Sequence, residues 1–285
     1  MVFSLLDSRP RVALLRLQGV IAARSGPLSG GLNLAGLAPS LERAFGMRRL
    51  AGVFLAVNSP GGSPVQSSLI AGRIRQLADR RKVPVVACVE DAAASGGYWI
   101  ACAADEIVAD PASILGSIGV ISASFGFQEA LPRLGIERRL RTAGTEKSFL
   151  DPFRPQAPED LARLDALLGE LHAEFKDWVR QRRGVRLRAP EAEVFDGRFW
   201  TGRRAVALGL ADRLGDADSE AKRRFGAKAR LVPVGGRRRP LMARLLPGMA
   251  AGREPAALPA AMAAVLPAAL ADMLEERAAW SRLGL

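Results

Sequence analysis

The segment Ala92-Ala93-Ala94-Ser95-Gly96-Gly97-Tyr98 sets one hydroxyl among residues too small to shield it, between the apolar runs Val83–Val89 and Tyr98–Ala104. A second segment, Ala143-Gly144-Thr145-Glu146-Lys147-Ser148, sets an amine in a loop that follows a strand-like stretch. A serine attacks a carbonyl efficiently only when a neighbouring group takes its proton, and an uncharged lysine can be that group. The chain has 1 histidine, His172, so a Ser-His-Asp arrangement has a single residue to draw on. An isolated lysine titrates near a pKa of roughly 10.4, so burial must bring Lys147 down before it can act as a base. Phe149, Leu150 and Phe153 are candidates for the apolar wall that would do so. Glu146 would work against them if it faced the amine, so its side chain is expected to point away.

An attacked carbonyl also needs donors for its developing negative charge. Ser95 is expected to follow a buried strand and open a helix, which aims the amides beside Gly96 and Gly97 at such a charge. The motif lacks the first glycine of G-x-S-x-G, because Ala93 stands there. Asn58-Ser59-Pro60-Gly61-Gly62 is a second candidate, since paired glycines allow positive φ and close approach of backbone to substrate. Taken singly, each segment has a plainer reading: a tightly packed serine, a strand-to-helix turn with Ser63 as cap, a solvated loop lysine.

These loops need a frame. Val12–Leu17, Leu50–Val57, Val83–Val89, Glu106–Ala109 and Ile136–Arg141 are strand-length and partly β-branched, and helical patterns such as Pro64–Arg81 and Phe127–Leu134 lie between them. Such alternation predicts an α/β fold with mostly parallel strands, and open sheets of that kind carry their sites at strand carboxyl ends. Pro158–Arg183 is the clearest helix, with Leu161, Leu164, Leu168, Leu171, Phe175 and Trp178 forming one apolar stripe and His172 beside it. A smaller helical unit runs from Trp200 to Asp212. Beyond about Arg237 the composition shifts to Ala, Leu, Pro and Arg, which divides the chain into a folded unit, 10–235, and a tail, 236–285.

The chain of 285 residues carries a formal net charge of +12. Ten basic residues lie between Lys222 and Arg253 with no acidic residue among them. Few aromatics interleave and no nucleic-acid motif is present, so nucleic acid is not expected as a partner, and an anionic membrane surface or plain solvent is. Cys88 and Cys102 both sit in apolar runs and read as small buried residues; neither a disulfide framework nor a metal-ligand spacing is evident, and no cofactor is expected. Met1–Leu6 is too short for a signal-peptide core. Pro255–Leu270 is Ala-rich and carries Pro259 and Pro267, so an interfacial or partner-packing helix fits it better than a membrane span.

Asn58–Gly62, Ser95–Tyr98, Leu115-Gly116-Ser117-Ile118-Gly119-Val120, Lys147 in its loop, and Thr201-Gly202…Ala205…Gly209-Leu210-Ala211-Asp212 together resemble the motifs of the signal peptide peptidase A (SppA) family. The resemblance spans about residues 10 to 235. It implies a Clp protease/crotonase-like α/β core with flanking helices and a helical C-terminal extension. It implies Ser95 as nucleophile, Lys147 as general base, Ser117 as the auxiliary serine that orients the lysine, and Gly62 and Gly96 as oxyanion-hole donors. It also implies homo-oligomeric rings or domes whose complete sites borrow residues from a neighbour. Substrates would be signal-peptide remnants or other unfolded apolar peptides. The family's N-terminal anchor is not seen and there is one catalytic unit, so the expected location is cytoplasmic or peripheral at the bacterial inner membrane. Three other readings stay open: a Clp-type peptidase using His172, a crotonase-like acyl-CoA enzyme, and a non-catalytic membrane scaffold using the tail.

Overall fold

The computed structural model describes residues 9–23, 31–144, 146–235, 274 and 277–285. Continuous apolar runs make its central strands. In β2 (Leu50–Ser59) every residue from Gly52 on is buried, and β3 (Val85–Ala94) is buried along most of its length, as strands covered on both faces must be. β1 (Arg11–Gln18) pairs with β2 on one side and with β8 (Arg230–Val234) on the other, all parallel. The sheet order is β6-β5-β3-β2-β1-β8. β3 forks the sheet: its first half pairs with β4 (Glu106–Ala109), its last three residues with β5 (Ile114–Gly116). β6 (Phe199–Thr201) is antiparallel to β5, and β7 (Arg213–Leu214) is parallel to β4.

Alternate side chains divide between the two faces. Ala13, Leu15, Val53, Leu55, Val85 and Ala87 enter the larger core, beneath α1 (Leu34–Phe45), α2 (Pro64–Arg81) and α3 (Gly96–Ala101). Val12, Phe54, Val86, Cys88 and Val108 enter a smaller one with Ala221 of α8 (Ala217–Phe225). Burial pushes the Cys88 thiol up to about 12 and the Cys102 thiol up to about 11, so both are inert packing residues. Further helices are α4 (Ala130–Arg133), α5 (Pro158–Arg183), α6 (Glu191–Val194) and α7 (Gly202–Leu208). The expected α/β class with a mostly parallel sheet is what the chain adopts.

Three expectations change. Ile136–Arg141 is not a strand: residues 136–141 are exposed and have no ladder partner, and an unpaired strand leaves its backbone groups unsatisfied. The Phe127–Leu134 helix shrinks to α4, which holds Pro132 and is followed by Gly135 at φ +66°. Of the expected α5 stripe only Phe175 is buried, Leu164, Leu168 and Trp178 are half-buried and Leu161 and Leu171 exposed, and the helix's other buried residues, Val179 and Arg183, lie near its C-terminal end. Most of the expected tail, residues 236–273, lies outside the described residues. Among the described residues no helix is long and apolar enough to cross a membrane.

Candidate active site

β2 and β3 are neighbours, so the loops that leave their carboxyl ends stand side by side. Asn58 locks the pair: its Oδ1 accepts from the Ala92 amide at 3.2 Å and its Nδ2 donates to Asp91 at 2.5 Å. β3 does not stop at Val89 but runs on to Ala94, because Ala92, Ala93 and Ala94 pair with β5. Ser95 therefore follows the strand directly. Its amide donates to the Gly116 carbonyl at 2.8 Å and its carbonyl accepts from Trp99 at 2.9 Å, so one residue joins ladder to helix. The turn demands φ +51° and ψ −120° at Ser95, a conformation costly for a residue with a side chain. A strained strand-to-helix serine is the geometry of a nucleophile elbow, reached here without the glycine at position 93.

The Gly61-Gly62 turn lies against it. A Cβ built on Gly61 would stand 2.8 Å from the Ser95 Cβ and 2.9 Å from the Gly96 nitrogen. Gly62, at φ +138°, is held by Ile21, whose amide donates to Gly61 O at 2.8 Å and whose carbonyl accepts from Ser63 at 2.7 Å. Among the described residues neither the Gly62 nor the Gly96 amide donates to a protein carbonyl, which leaves both for a ligand.

Ser95, Gly62, Gly96, Ser117 and His172 all line one cavity of about 550 Å³. Trp99, Val120, Ile121, Leu171 and Phe175 supply apolar walls, and Asp196 and Arg282 border it with charge. Ala279 and Leu283 border it too, so residues 277–285 pack beside the same cavity. Ser117 sits at φ +52°, with its amide donating to Arg198 O at 2.7 Å. His172 does not reach for Ser95; its Nε2 is 3.1 Å from the Ile118 carbonyl.

Lys147 is the residue the single chain does not bring in. It is exposed, it does not line the cavity, and it shares no hydrogen bond with Ser95. It lies in a turn, residues 146–150, of an arm that spans 118–157 and packs mainly on itself: Phe127 on Phe153 at 5.7 Å between centroids, Arg138 over Phe153 at 5.1 Å. Glu146 pairs with Arg163 of α5. Phe149 and Leu150 are half-buried and Phe153 exposed, so the wall expected around Lys147 is only partly built within one chain.

The Gly209–Asp212 signature turns out to be a clamp on the helices that carry the site. Tyr98, fully buried on α3, donates to Leu210 O at 2.8 Å. Arg183, buried at the end of α5, donates to Gly209 O at 2.9 Å and to Asp212 at 2.8 Å. Burial pushes the Asp212 carboxyl up, but the Arg183 guanidinium, the Ile107 amide and Arg186 outweigh it and hold it below its ordinary range. Trp178 donates to Trp99 O at 2.9 Å while Phe175 stacks on the Trp99 ring at 4.7 Å. In the sequence Arg183 reads, with Arg180 and Arg182, as a cation suited to the end of α5, yet it lies at i+4 from Val179 and i+8 from Phe175 on the buried face. An arginine there signals an internal ion pair.

Residues 78–229 match the model of peptidase family S49. Over 275 residues, 96% of this chain, it is 47% identical to a protein of Brucella abortus named Na(+)/H(+) antiporter NhaA, of which the match covers 37%. It is 36% identical over 172 residues to the putative protease MJ0651 of Methanocaldococcus jannaschii, covering 60% of this chain and 54% of that protein. The serine protease SPPA, chloroplastic, of Arabidopsis thaliana is 32% identical over 215 residues, 74% of this chain and 31% of that protein. The chain thus spans from about three-tenths to about a half of the length of these relatives. With Ser95, Ser117 and Lys147 all inside the matched span, the chain belongs to peptidase family S49, a family of serine peptidases.

Proposed function

We propose that this chain is a serine endopeptidase that cleaves unfolded apolar peptides, signal-peptide remnants among them, with Ser95 as nucleophile and Lys147 as general base. The observation that carries the reading is the strained Ser95 turn, packed against Gly61-Gly62 and opening on an apolar cavity. Ser95 Oγ attacks the scissile carbonyl carbon and passes its proton to Lys147 Nζ. The Gly62 and Gly96 amides hold the oxyanion, and the lysine then protonates the leaving amine. Water, deprotonated by the same lysine, releases the acyl group. Ser117 orients the amine.

The exposure of Lys147 in the single chain places a condition on this scheme: a second copy delivers the lysine. Away from the cavity, the arm that carries it presents Phe125, Leu134 and Ile136, and α5 presents Leu161 and Leu167, as exposed apolar side chains. Docking of a neighbour covers them and closes apolar surface around Lys147. The cavity's Trp99, Phe175 and Leu171 favour small or apolar substrate residues. Family membership favours peptide-bond chemistry over the acyl-CoA and scaffold alternatives. Contact with an anionic membrane surface would run through the basic stretch 222–253.

The test is cleavage of an apolar peptide library by the unaltered chain, Ser95→Ala and Lys147→Met, with a fluorophosphonate reporting on the serine. Loss of cleavage in both variants is expected. Undiminished turnover in Lys147→Met would remove the lysine from the mechanism.

A further inference from the structure

α5 touches both walls of the cleft. On one side Phe175 stacks on Trp99 and Trp178 donates to the Trp99 carbonyl, gripping the helix that follows Ser95. On the other side, three residues before Phe175 and on the same helix face, His172 meets Ile118. A carbonyl oxygen only accepts, so the His172 nitrogen that faces it, Nε2, carries the hydrogen.

What that bond holds is the segment after Ser117. Gly116 accepts the Ser95 amide, Ser117 donates to Arg198 O, and Gly119 turns back onto Ser117 O at 3.0 Å. Among the described residues no backbone amide from Val120 to Gly126 then donates to a backbone carbonyl, until Phe127 reaches Pro152. Val120 and Ile121, in that unladdered stretch, line the cavity. The Ile118 side chain is fully buried, which fixes where the residue sits, but burial of an apolar group does not orient its peptide plane. The Ile118–Gly119 peptide is held twice, its N–H by Ser117 O within the turn and its C=O by His172, and the second bond is the one that ties the turn to α5.

We propose that His172, rather than serving as a base, is a positioning residue: its Nε2–H holds the Ile118 carbonyl and so fixes the wall 118–121 against which substrate binds. This rests on the reading of Ser95 given above and adds to it a specific role for the one histidine. It acts on binding before it acts on chemistry, because the wall lies beside the substrate while Ser95 and Ser117 are anchored separately, through Gly116 O and Arg198 O.

The experiment compares His172→Phe, which keeps a planar ring but removes the donor, with His172→Gln, which keeps an N–H donor. His172→Leu stands in if the Phe variant melts early. Losing one such bond raises KM for an apolar peptide roughly two- to tenfold, with kcat within about twofold. Labelling of Ser95 by a small fluorophosphonate stays near that of the unaltered chain, and hydrogen exchange quickens over residues 118–121. The Gln variant restores KM and exchange. Equal behaviour of the Phe and Gln variants overturns the proposal, as does unchanged exchange in the Phe variant whatever the kinetics. Loss of all labelling in both variants would make His172 a base. Failure of the unaltered chain to label at Ser95 would sink the reading of that serine independently of the exchange result.

Discussion

Gly62→Ala separates catalysis from stability. A Cβ at position 62 would stand 2.0 Å from the Ile21 carbonyl oxygen, well inside any real contact, and the position holds φ +138°. Ile21 cannot yield easily, because its own amide and carbonyl are bonded to Gly61 and Ser63. The turn has to retract, and with it the Gly62 amide. Removing one oxyanion donor costs roughly 10²- to 10³-fold in kcat. The backbone strain costs about 1–3 kcal/mol, which for a domain of this size lowers the melting temperature by roughly 2–12 °C. The assay is peptide turnover and fluorophosphonate labelling at a temperature well below the melting point, with Gly72→Ala as control. Nothing lies within 4 Å of a Cβ at Gly72 on α2, so that change leaves activity intact. A folded Gly62→Ala protein with turnover within a few-fold of the unaltered chain would refute the assignment of this turn as an oxyanion donor.

Further outcomes follow from the clamp and the cavity. Arg183→Met strips the Gly209 carbonyl of its guanidinium and leaves the Asp212 carboxylate to the Ile107 amide and Arg186, a loss of at most about 3–5 kcal/mol, so calorimetry should show the melting temperature fall by up to roughly 6–20 °C. The Asp212 carboxyl titrates below its unfolded value. Its stabilisation is therefore complete above about pH 4 and is lost as pH falls through the lower folded value; acid melts should show this loss in the unaltered chain and not in Asp212→Asn. Leu283 borders the cavity, so Leu283→Ala widens it, and labelling of Ser95 by a bulky fluorophosphonate should quicken; an unchanged rate would mean that residues 277–285 do not limit access.

Much of the frame was legible because its signals are local. Pro64 at the start and the apolar periodicity set α2 at the bounds expected, and the same holds for α5, with Gly184 closing it. The grouping of Ser95, Gly62, Gly96 and Ser117 around one cavity follows from three adjacent strands, β2, β3 and β5, whose carboxyl ends share an edge. What periodicity does not encode is the partner of an apolar face. The leucines of α5 read as a buried stripe, yet only its last turns meet the body of the chain. Ile136–Arg141 alternates like a strand, but a strand exists only beside another. Lys147 shares both causes, since a loop's sequence gives its chemistry and not the surface that will cover it. The Ser95 backbone was hidden for a different reason: the elbow is set by the Gly116 carbonyl and the packing of Gly61, both remote in sequence.

The central claim is that Ser95 of one copy works with Lys147 of another, and mixing two inactive proteins tests it most directly. Ser95→Ala and Lys147→Met are co-assembled from unfolded chains in equal amounts, and peptide cleavage is measured against each variant alone. In a random assembly about one site in four joins an intact Ser95 to an intact Lys147 from its neighbour. The account predicts that the mixture regains up to about a quarter of the unaltered activity, while each variant alone stays inactive. A mixture as inactive as its components, with assembly verified by sedimentation, would contradict it.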